Sequence, residues 1–328
     1  MGIRNLNSVI KEHCNDAICK LHLSEIKGKT IVIDTSIYMY RYSSDSSLIE
    51  NMYLMISLFR YHEVTPIFVF DGKPPHEKNE LLKIRKEEKL KAKAEYDILS
   101  SKLKNTNNNI EREEILNQMY ILKKIFVTIS VEDRANVKKL MDNYGVSYIV
   151  ADGEADRLCA KMVIKNFAWA CLSEDTDMFV YGCPRVLRYF SLVKSTIFVY
   201  TLDNILDKFK ITLKEFREIC VLSGTDYNYN ESENMNIYNS FEYFEKYRKY
   251  TKKKKKNKIE FYDWLQKTDD KFYNDSYKLY SIYIMYDLNT IDLTGKYKKK
   301  KITNKPVNKN ELRKQLKNNG FIYLDEKM

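Results

Sequence analysis

Residues 30–34 read Thr-Ile-Val-Ile-Asp, a short run of β-branched side chains that ends in a carboxylate. Residues 66–71, Pro-Ile-Phe-Val-Phe-Asp, repeat this design, and residues 48–61 between them carry apolar side chains at helical spacing. Continuous apolar runs separated by helices are typical of parallel strands buried on both faces. The sequence therefore predicts an α/β fold with a mostly parallel sheet flanked by helices.

A further strand–helix unit follows downstream. Residues 131–144 predict a helix, Gly145 its C-terminal cap and residues 146–150 a strand. The segment 151–156 opens the next helix, with Asp152 as a candidate N-cap, and residues 168–172 predict another strand.

Seven carboxylates stand at strand ends or helix starts, where the carboxyl edge of a parallel sheet would gather them. Such a cluster would repel itself unless divalent cations held it together, so the pattern predicts a metal site. A single acidic residue in a first helical turn, or ordinary loop polarity, would explain individual members equally well. The seven are Asp34, Asp71, Glu154, Asp156, Asp175, Asp177 and Asp226.

The whole chain is basic, with 56 Lys and Arg against 45 Asp and Glu, a net charge of +11 and a pI near 9.0. A basic surface around an acidic site suits a nucleic acid, although basic charge also simply keeps a lysine-rich protein soluble. No apolar run predicts a membrane span or a signal peptide, so we expect an intracellular protein. Six cysteines without a CxxC pair, and four histidines, suggest neither a zinc site nor disulfides.

Two segments are rich in charged residues, lysine above all. Residues 76–130 predict long charged helices with a turn at 105–109, either a solvated face or a lid over the site. Beyond Asp226, lysine runs at 252–256 and 298–301 could follow a phosphate backbone or could be a loop or a nuclear-import signal. Neighbouring tyrosines could stack on bases, namely Tyr247, Tyr250, Tyr262, Tyr273 and Tyr277.

Six motifs in order resemble the flap endonuclease branch of the structure-specific 5′ nucleases, the xeroderma pigmentosum G/Rad2-like family. The resemblance implies a PIN-like core over 1–230, a helical arch or gateway insertion at 76–130, and a divergent Lys- and Tyr-rich DNA-binding region over 231–328. The motifs are residues 1–3, 33–34, 69–75, 153–156, 173–177 and 222–227.

The resemblance also implies two Mg²⁺ ions, with Mn²⁺ able to substitute, because hard oxygen ligands suit both metals. Asp34, Asp71, Glu154 and Asp156 would serve one ion, and Asp175, Asp177 and Asp226 the other. Lys78 and Arg85 match the catalytic basic residues that contact the scissile phosphate. Candidate DNA contacts are Gly2, Lys73, Lys83, Lys86, Lys252, Lys253 and Lys254.

The implied function is a 5′ flap endonuclease and 5′–3′ exonuclease in DNA replication, repair or recombination. The expected partner is DNA with 5′ flaps or branched junctions, bound by a monomer at a nuclear or cytoplasmic replication site, including a viral one. A 5′–3′ exoribonuclease and a non-catalytic nucleic-acid-binding protein remain alternatives. After Asp226 the chain lacks the Gly- and Pro-containing hairpin of the family's helix-two-turn-helix module, and its tail shows no sliding-clamp box.

Overall fold

In the computed structural model, which describes residues 2–228, 235–253, 259–272, 276–293 and 304–322, seven strands form one sheet. Their order across the sheet is β1-β7-β6-β5-β2-β3-β4. Five strands are parallel to one another, namely β6, β5, β2, β3 and β4 in their order across the sheet. Strand β7 pairs antiparallel with both β6 and β1. The strands are β1 (Ile18–His22), β2 (Thr30–Asp34), β3 (Thr65–Phe70), β4 (Ser147–Val150), β5 (Ala170–Leu172), β6 (Arg185–Ser191) and β7 (Thr196–Thr201).

The central strand β2 lies between β3 and β5 and is buried on both faces. Val32 packs into one hydrophobic core, whereas Ile31 and Ile33 pack into a second core on the opposite face. Successive strand residues point to opposite faces of a sheet, so a strand covered on both sides needs an unbroken apolar run. This explains the sequence of residues 30–34 and confirms the predicted α/β class with a mostly parallel sheet.

Helices cover both faces. One core contains residues of α2, α3, α6 and α14, and the other contains residues of α1 and α7 to α13. The helices are α1 (Leu6–His13), α2 (Thr35–Ser44), α3 (Leu48–Tyr61), α4 (Asn79–Asn105), α5 (Asn109–Phe126), α6 (Val131–Tyr144), α7 (Ala155–Ile164), α8 (Asp177–Val180), α9 (Leu202–Phe209), α10 (Leu213–Ser223), α11 (Ile237–Lys253), α12 (Phe261–Thr268), α13 (Ser276–Met285) and α14 (Lys309–Asn318).

The predicted helices over 48–61 and 131–144 are confirmed, and Gly145 ends α6 with a positive φ of 71°. Three boundary predictions are wrong. Strand β4 begins at Ser147 instead of residue 146. Helix α7 begins at Ala155 with Glu154, not Asp152, in the N-cap position. Strand β5 begins at Ala170: the N–H of Ala168 still donates to the carbonyl of Met162 in α7, whereas the N–H of Trp169 already donates to the carbonyl of Thr30 in β2.

Helices α4 and α5 form a hairpin beside the sheet, and the turn between them lies where residues 105–109 predicted it. Lys102 forms an ion pair with Glu111 across the turn, and the rings of Tyr96 and Phe126 pack edge to face near the other end. The hairpin contacts the end of α2, where Tyr120 donates a hydrogen bond to Asp45 at 3.2 Å.

The last third of the chain packs on the same sheet. Residues of α11, α12 and α13 lie in the hydrophobic core that also contains residues of α7. On the other face, α14 packs against α6. There the buried Gln315 accepts a hydrogen bond from Asn143 Nδ2 at 2.9 Å and donates one to the Asn136 carbonyl at 2.8 Å. No helix in these described ranges is both long and apolar enough to span a bilayer.

The prediction that tyrosines of this region stack on bases is wrong for Tyr262. Its side chain is buried in the core, and its hydroxyl donates to the carbonyl of Glu218 at 3.0 Å. Tyr247 is half-buried, and its ring packs against those of Phe244, Phe261 and Trp264. Tyr277 is exposed, and Tyr273, Lys254 to Lys256 and the lysine run 298–301 lie outside the described residues.

Candidate active site

The carboxyl ends of three neighbouring strands carry the acidic residues. Asp34 is the last residue of β2, Asp71 directly follows β3, and the segment 173–177 follows β5. Asp156 lies in the first turn of α7, which begins shortly after β4. Parallel strands end at the same edge of a sheet, so the chain brings these side chains to one place.

Local hydrogen bonds hold two of the strand-end carboxylates. Asp34 Oδ2 accepts from the hydroxyl of Ser173 at 3.3 Å, which links the ends of β2 and β5. Asp71 Oδ1 accepts from the backbone N–H of Ala155 at 2.8 Å, at the N-terminus of α7. A helix N-terminus stabilises negative charge, so Asp71 has a favourable partner without any cation.

Burial and mutual repulsion raise the pKa of four aspartates. For Asp34 and Asp177, burial is the larger cause, and carboxylates of neighbouring aspartates add to it. Burial, with Glu154 next, raises the pKa of Asp156 to about 8, against the effect of Lys78. Burial also raises the pKa of Asp175. The folded chain thus gathers negative charge at a cost that bound cations would offset.

Two basic residues from the start of the hairpin reach into this cluster. Lys78, only 7% exposed, places Nζ 2.6 Å from Glu154 Oε1 and 3.6 Å from Asp226 Oδ2. Arg85 Nη2 donates to both oxygens of Asp226, each at 3.2 Å. Burial lowers the pKa of Lys78, but Asp156, Glu154 and Asp226 outweigh it and raise that pKa overall, so the ammonium is charged.

Gly2 lies directly against the acidic segment with a φ of +72°. A Cβ there would come within 2.2 Å of Asp175 Oδ1 and 2.6 Å of Asp177 Oδ1, closer than atoms can approach. Only glycine combines this positive φ with such a close approach. The N-terminal residue predicted to lie near DNA is therefore packed against the carboxylates that follow β5.

The donor chemistry of the site fits a hard divalent cation, because the buried ligand candidates are carboxylate oxygens. Asp177 Oδ1 is buried and has no hydrogen-bond partner in the described part of the chain. As the structure stands, no three His, Cys, Asp or Glu side chains of the described residues lie in a metal-binding geometry. Lys78 and Arg85 instead neutralise part of the cluster, contacting Glu154 and Asp226.

Three neighbours of the carboxylates were not predicted from the sequence. Tyr227 donates to Glu154 Oε2 at 3.2 Å, Tyr286 donates to Asp177 Oδ2 at 3.1 Å, and Ser173 donates to Asp34. Tyr227 follows Asp226 directly and Ser173 begins the acidic segment, so their proximity could have been inferred. Nothing in the sequence around Tyr286 indicates the site.

The remaining basic candidates are surface residues. Lys73, Lys83 and Lys86 are exposed near the start of the hairpin, and Lys252 and Lys253 are exposed at the end of α11. Their contacts with DNA stay predictions. All six cysteines are free thiols in the structure, and five of them are buried.

Sequence comparison decides the family. The sequence models described as XPG N-terminal domain and XPG I-region match residues 1–92 and 145–226. Flap endonuclease 1 of Methanococcus aeolicus is 30% identical over 233 residues, which cover 65% of this chain and 68% of that protein. The chain belongs to the XPG/Rad2-like flap endonuclease family. As a member of this family it is a DNA nuclease, and the family is metal-dependent.

The chain is also similar to a viral protein and to a protein of solved structure. A probable RAD2-like endonuclease, 369L of Invertebrate iridescent virus 6, is 28% identical over 282 residues, covering 70% of this chain and 68% of the viral protein. The catalytic core of Rad2 in complex with DNA substrate superposes with a TM-score of 0.67 at 19% identity, over 95% of this chain and 94% of that one. The shared fold is the PIN-like fold of Rad2.

Proposed function

We propose that this protein cuts DNA at the base of 5′ flaps and degrades 5′ ends as a 5′–3′ exonuclease, acting on replication, repair or recombination intermediates. The observation that carries the proposal is that Lys78 and Arg85 contact the largely buried carboxylates of Glu154 and Asp226 at the acidic cluster. Metal-dependent hydrolysis of a phosphodiester needs carboxylates that bind the metal and basic side chains that contact the phosphate. The two kinds of side chain must lie next to each other, because the metal acts on the same phosphate.

The seven carboxylates would hold two Mg²⁺ ions, and Mn²⁺ would substitute for them. Asp34, Asp71, Glu154 and Asp156 are proposed for one ion, and Asp175, Asp177 and Asp226 for the other. The bound ions would lower the pKa of a water molecule and neutralise negative charge on the scissile phosphate. Two observations support this assignment: the pKa values of four of these aspartates are raised, and Asp177 Oδ1 has no hydrogen-bond partner among the described residues.

Lys78 and Arg85 would stabilise the phosphate that is cut. Both side chains form an ion pair with Asp226, so the two positive charges lie close together at the edge of the acidic cluster. Because Lys78 is buried and charged, its ammonium is already desolvated and fixed before the substrate arrives. Preorganised positive charge of this kind contributes more to catalysis than a mobile surface charge.

The DNA would lie along the basic surface, with its 5′ single strand at the α4–α5 hairpin. Five of the proposed contacts are exposed lysines, Gly2 is half-buried, and Lys254 lies outside the described residues. The full set is Gly2, Lys73, Lys83, Lys86, Lys252, Lys253 and Lys254. We further propose residues 1–230 as the nuclease core with the arch at 76–130, and 231–328 as a divergent DNA-binding region. The protein would act as a monomer at a nuclear or cytoplasmic replication site, without a sliding-clamp box.

The test is cleavage of a 5′-end-labelled flap DNA by the wild type and by Asp177→Asn, in Mg²⁺ and in EDTA. Asp203→Asn, an exposed aspartate of α9, is the matched control. We expect the wild type and the control to cut near the flap base only in Mg²⁺, and Asp177→Asn to lose at least about 100-fold in rate. Flap DNA left intact by the wild type in Mg²⁺ and Mn²⁺ would refute the proposal. Preferential cutting of a matched RNA flap would point to an exoribonuclease.

A further inference from the structure

The hydroxyl of Tyr286 reaches the acidic cluster from a part of the chain that carries no active-site motif. Tyr286 directly follows α13, is fully buried, and donates to Asp177 Oδ2 at 3.1 Å. We propose that Tyr286 is a positioning residue that fixes the Asp177 carboxylate in the orientation that binds metal. This inference rests on the proposed metal-dependent nuclease function.

The two oxygens of Asp177 have different surroundings. Oδ2 accepts the hydrogen bond from Tyr286, whereas Oδ1 is buried without a hydrogen-bond partner among the residues that the structure describes. Oδ1 lies on the side of Gly2, where Asp175 Oδ1 also lies. A carboxylate held through one oxygen can turn less freely, so the hydroxyl of Tyr286 leaves Oδ1 as the oxygen available to a cation.

The turn that carries Tyr286 is itself anchored to α7, the helix that contains Asp156. Lys161 Nζ donates to the carbonyl of Leu288 at 2.8 Å, and Arg157 Nη2 donates to the carbonyl of Asp287 at 3.4 Å. These bonds fix the backbone on the C-terminal side of Tyr286. The hydroxyl is thus held relative to the acidic cluster by the same helix that presents one of its carboxylates.

Aromatic packing fixes the ring independently of the hydroxyl. The ring of Tyr286 lies 5.0 Å from that of Tyr181 and 5.8 Å from that of Tyr227, between ring centres. Tyr286→Phe would keep these contacts and remove only the hydrogen bond. Hydrogen-bond partners of metal ligands typically contribute about 10-fold to 100-fold in metal affinity, so the loss should be measurable.

The experiment titrates Mn²⁺ into the full-length protein without DNA and follows free Mn²⁺ by electron paramagnetic resonance. It compares the wild type with Tyr286→Phe and with Tyr280→Phe, a tyrosine of α13 whose buried hydroxyl has no hydrogen-bond partner among the described residues. We expect Tyr286→Phe to bind Mn²⁺ about 10-fold more weakly. The Mg²⁺ concentration for half-maximal flap cleavage should rise by a similar factor, while the rate at saturating Mg²⁺ largely recovers.

Each alternative outcome has a distinct meaning. Unchanged Mn²⁺ affinity in Tyr286→Phe, with a wild type that binds Mn²⁺ and cuts DNA, would overturn the role of Tyr286 and leave the nuclease function standing. Equal weakening in Tyr280→Phe would also overturn it, because packing of α13 would then explain the effect. A wild type that neither binds Mn²⁺ nor cuts DNA would refute the proposed function itself.

Discussion

Lys78 Nζ lies 2.6 Å from Glu154 Oε1, joining the residue that precedes α4 to the N-cap residue of α7. Both side chains are largely buried, with 8% and 16% of their areas exposed. An ammonium ion in this position balances carboxylates that would otherwise repel one another. It thus fills, in part, the electrostatic role proposed for divalent cations.

Replacing Lys78 should therefore destabilise the metal-free protein more than the metal-bound one. We expect Lys78→Met to lower the free energy of unfolding by about 3 kcal/mol in EDTA, because a buried ion pair loses one partner. In Mg²⁺ the loss should be smaller. Urea denaturation in both conditions measures the difference, with the exposed Lys83→Met as control. Equal destabilisation of Lys78→Met in EDTA and in Mg²⁺ would contradict this account.

Gly2→Ala should damage the site through a steric clash. The added methyl group would lie 2.2 Å from Asp175 Oδ1, so the acidic segment must shift. Gly28→Ala is a matched control, because Gly28 has a similar φ of +75° but no atom within 4 Å of the place that a methyl group would take. We expect a loss of flap cleavage of about 10-fold or more in Gly2→Ala alone, although the backbone conformation costs both variants about 1 kcal/mol. Similar rates for both variants would mean that the contact has no catalytic consequence.

Glu218 should make the folded protein less stable as the pH rises. Burial raises its pKa from 4.5 to about 7, against the effect of the nearby Lys214 ammonium. Between these values the folded state binds more protons than the unfolded state, so the free energy of unfolding falls across that window and then levels off. The loss is on the order of 3 kcal/mol.

Glu218→Gln should remove this dependence. Urea denaturation from about pH 4.5 to about pH 8 measures the free energy of unfolding of both proteins. As the pH rises, the value for Glu218→Gln should increase relative to the value for the wild type. Glu242→Gln, at an exposed position of α11, should follow the wild type. A constant difference between wild type and Glu218→Gln at every pH would show that Glu218 titrates normally.

Gln315 should anchor the C-terminal helix to the sheet. Gln315→Met would keep the volume but remove the hydrogen bonds to Asn143 and Asn136, leaving the buried Asn143 amide without this acceptor. We expect a loss of about 2 kcal/mol in the free energy of unfolding. Hydrogen exchange should accelerate in α14, whereas Lys314→Met, on the exposed side of α14, should change neither quantity. Unaltered exchange in Gln315→Met would assign the docking to Leu312 and Leu316 instead.

The sequence predicted the centre of the fold well, because local patterns encode it. Residues 30–34 and 66–71 are buried on both faces, so their apolar runs are unbroken and their ends are marked by Asp34 and Asp71. The strands β1, β6 and β7 at one side of the sheet were not predicted. Their pairing joins segments as distant as Ile18 and Tyr200, and neither segment alone carries a signal for that contact.

The tyrosines of the last third show where composition misleads. Interleaved lysines and tyrosines are typical of nucleic-acid surfaces, but the same spacing lets Tyr262 pack in a core while neighbouring lysines stay in water. Tyr286 was missed for a related reason. Its role depends on a hydrogen bond between residues 109 positions apart, which no local pattern encodes.

That separation has a consequence for the order in which the protein is made. Once the ribosome has added Asp226, the chain contains all seven carboxylates. Tyr286, whose hydroxyl is proposed to orient Asp177, lies 60 residues further along and has not yet been synthesised. The aromatic residues of α11 and α12 that share the core with α7 are also missing. We expect the nascent chain to bind divalent cations more weakly than the complete protein until α13 has emerged and docked.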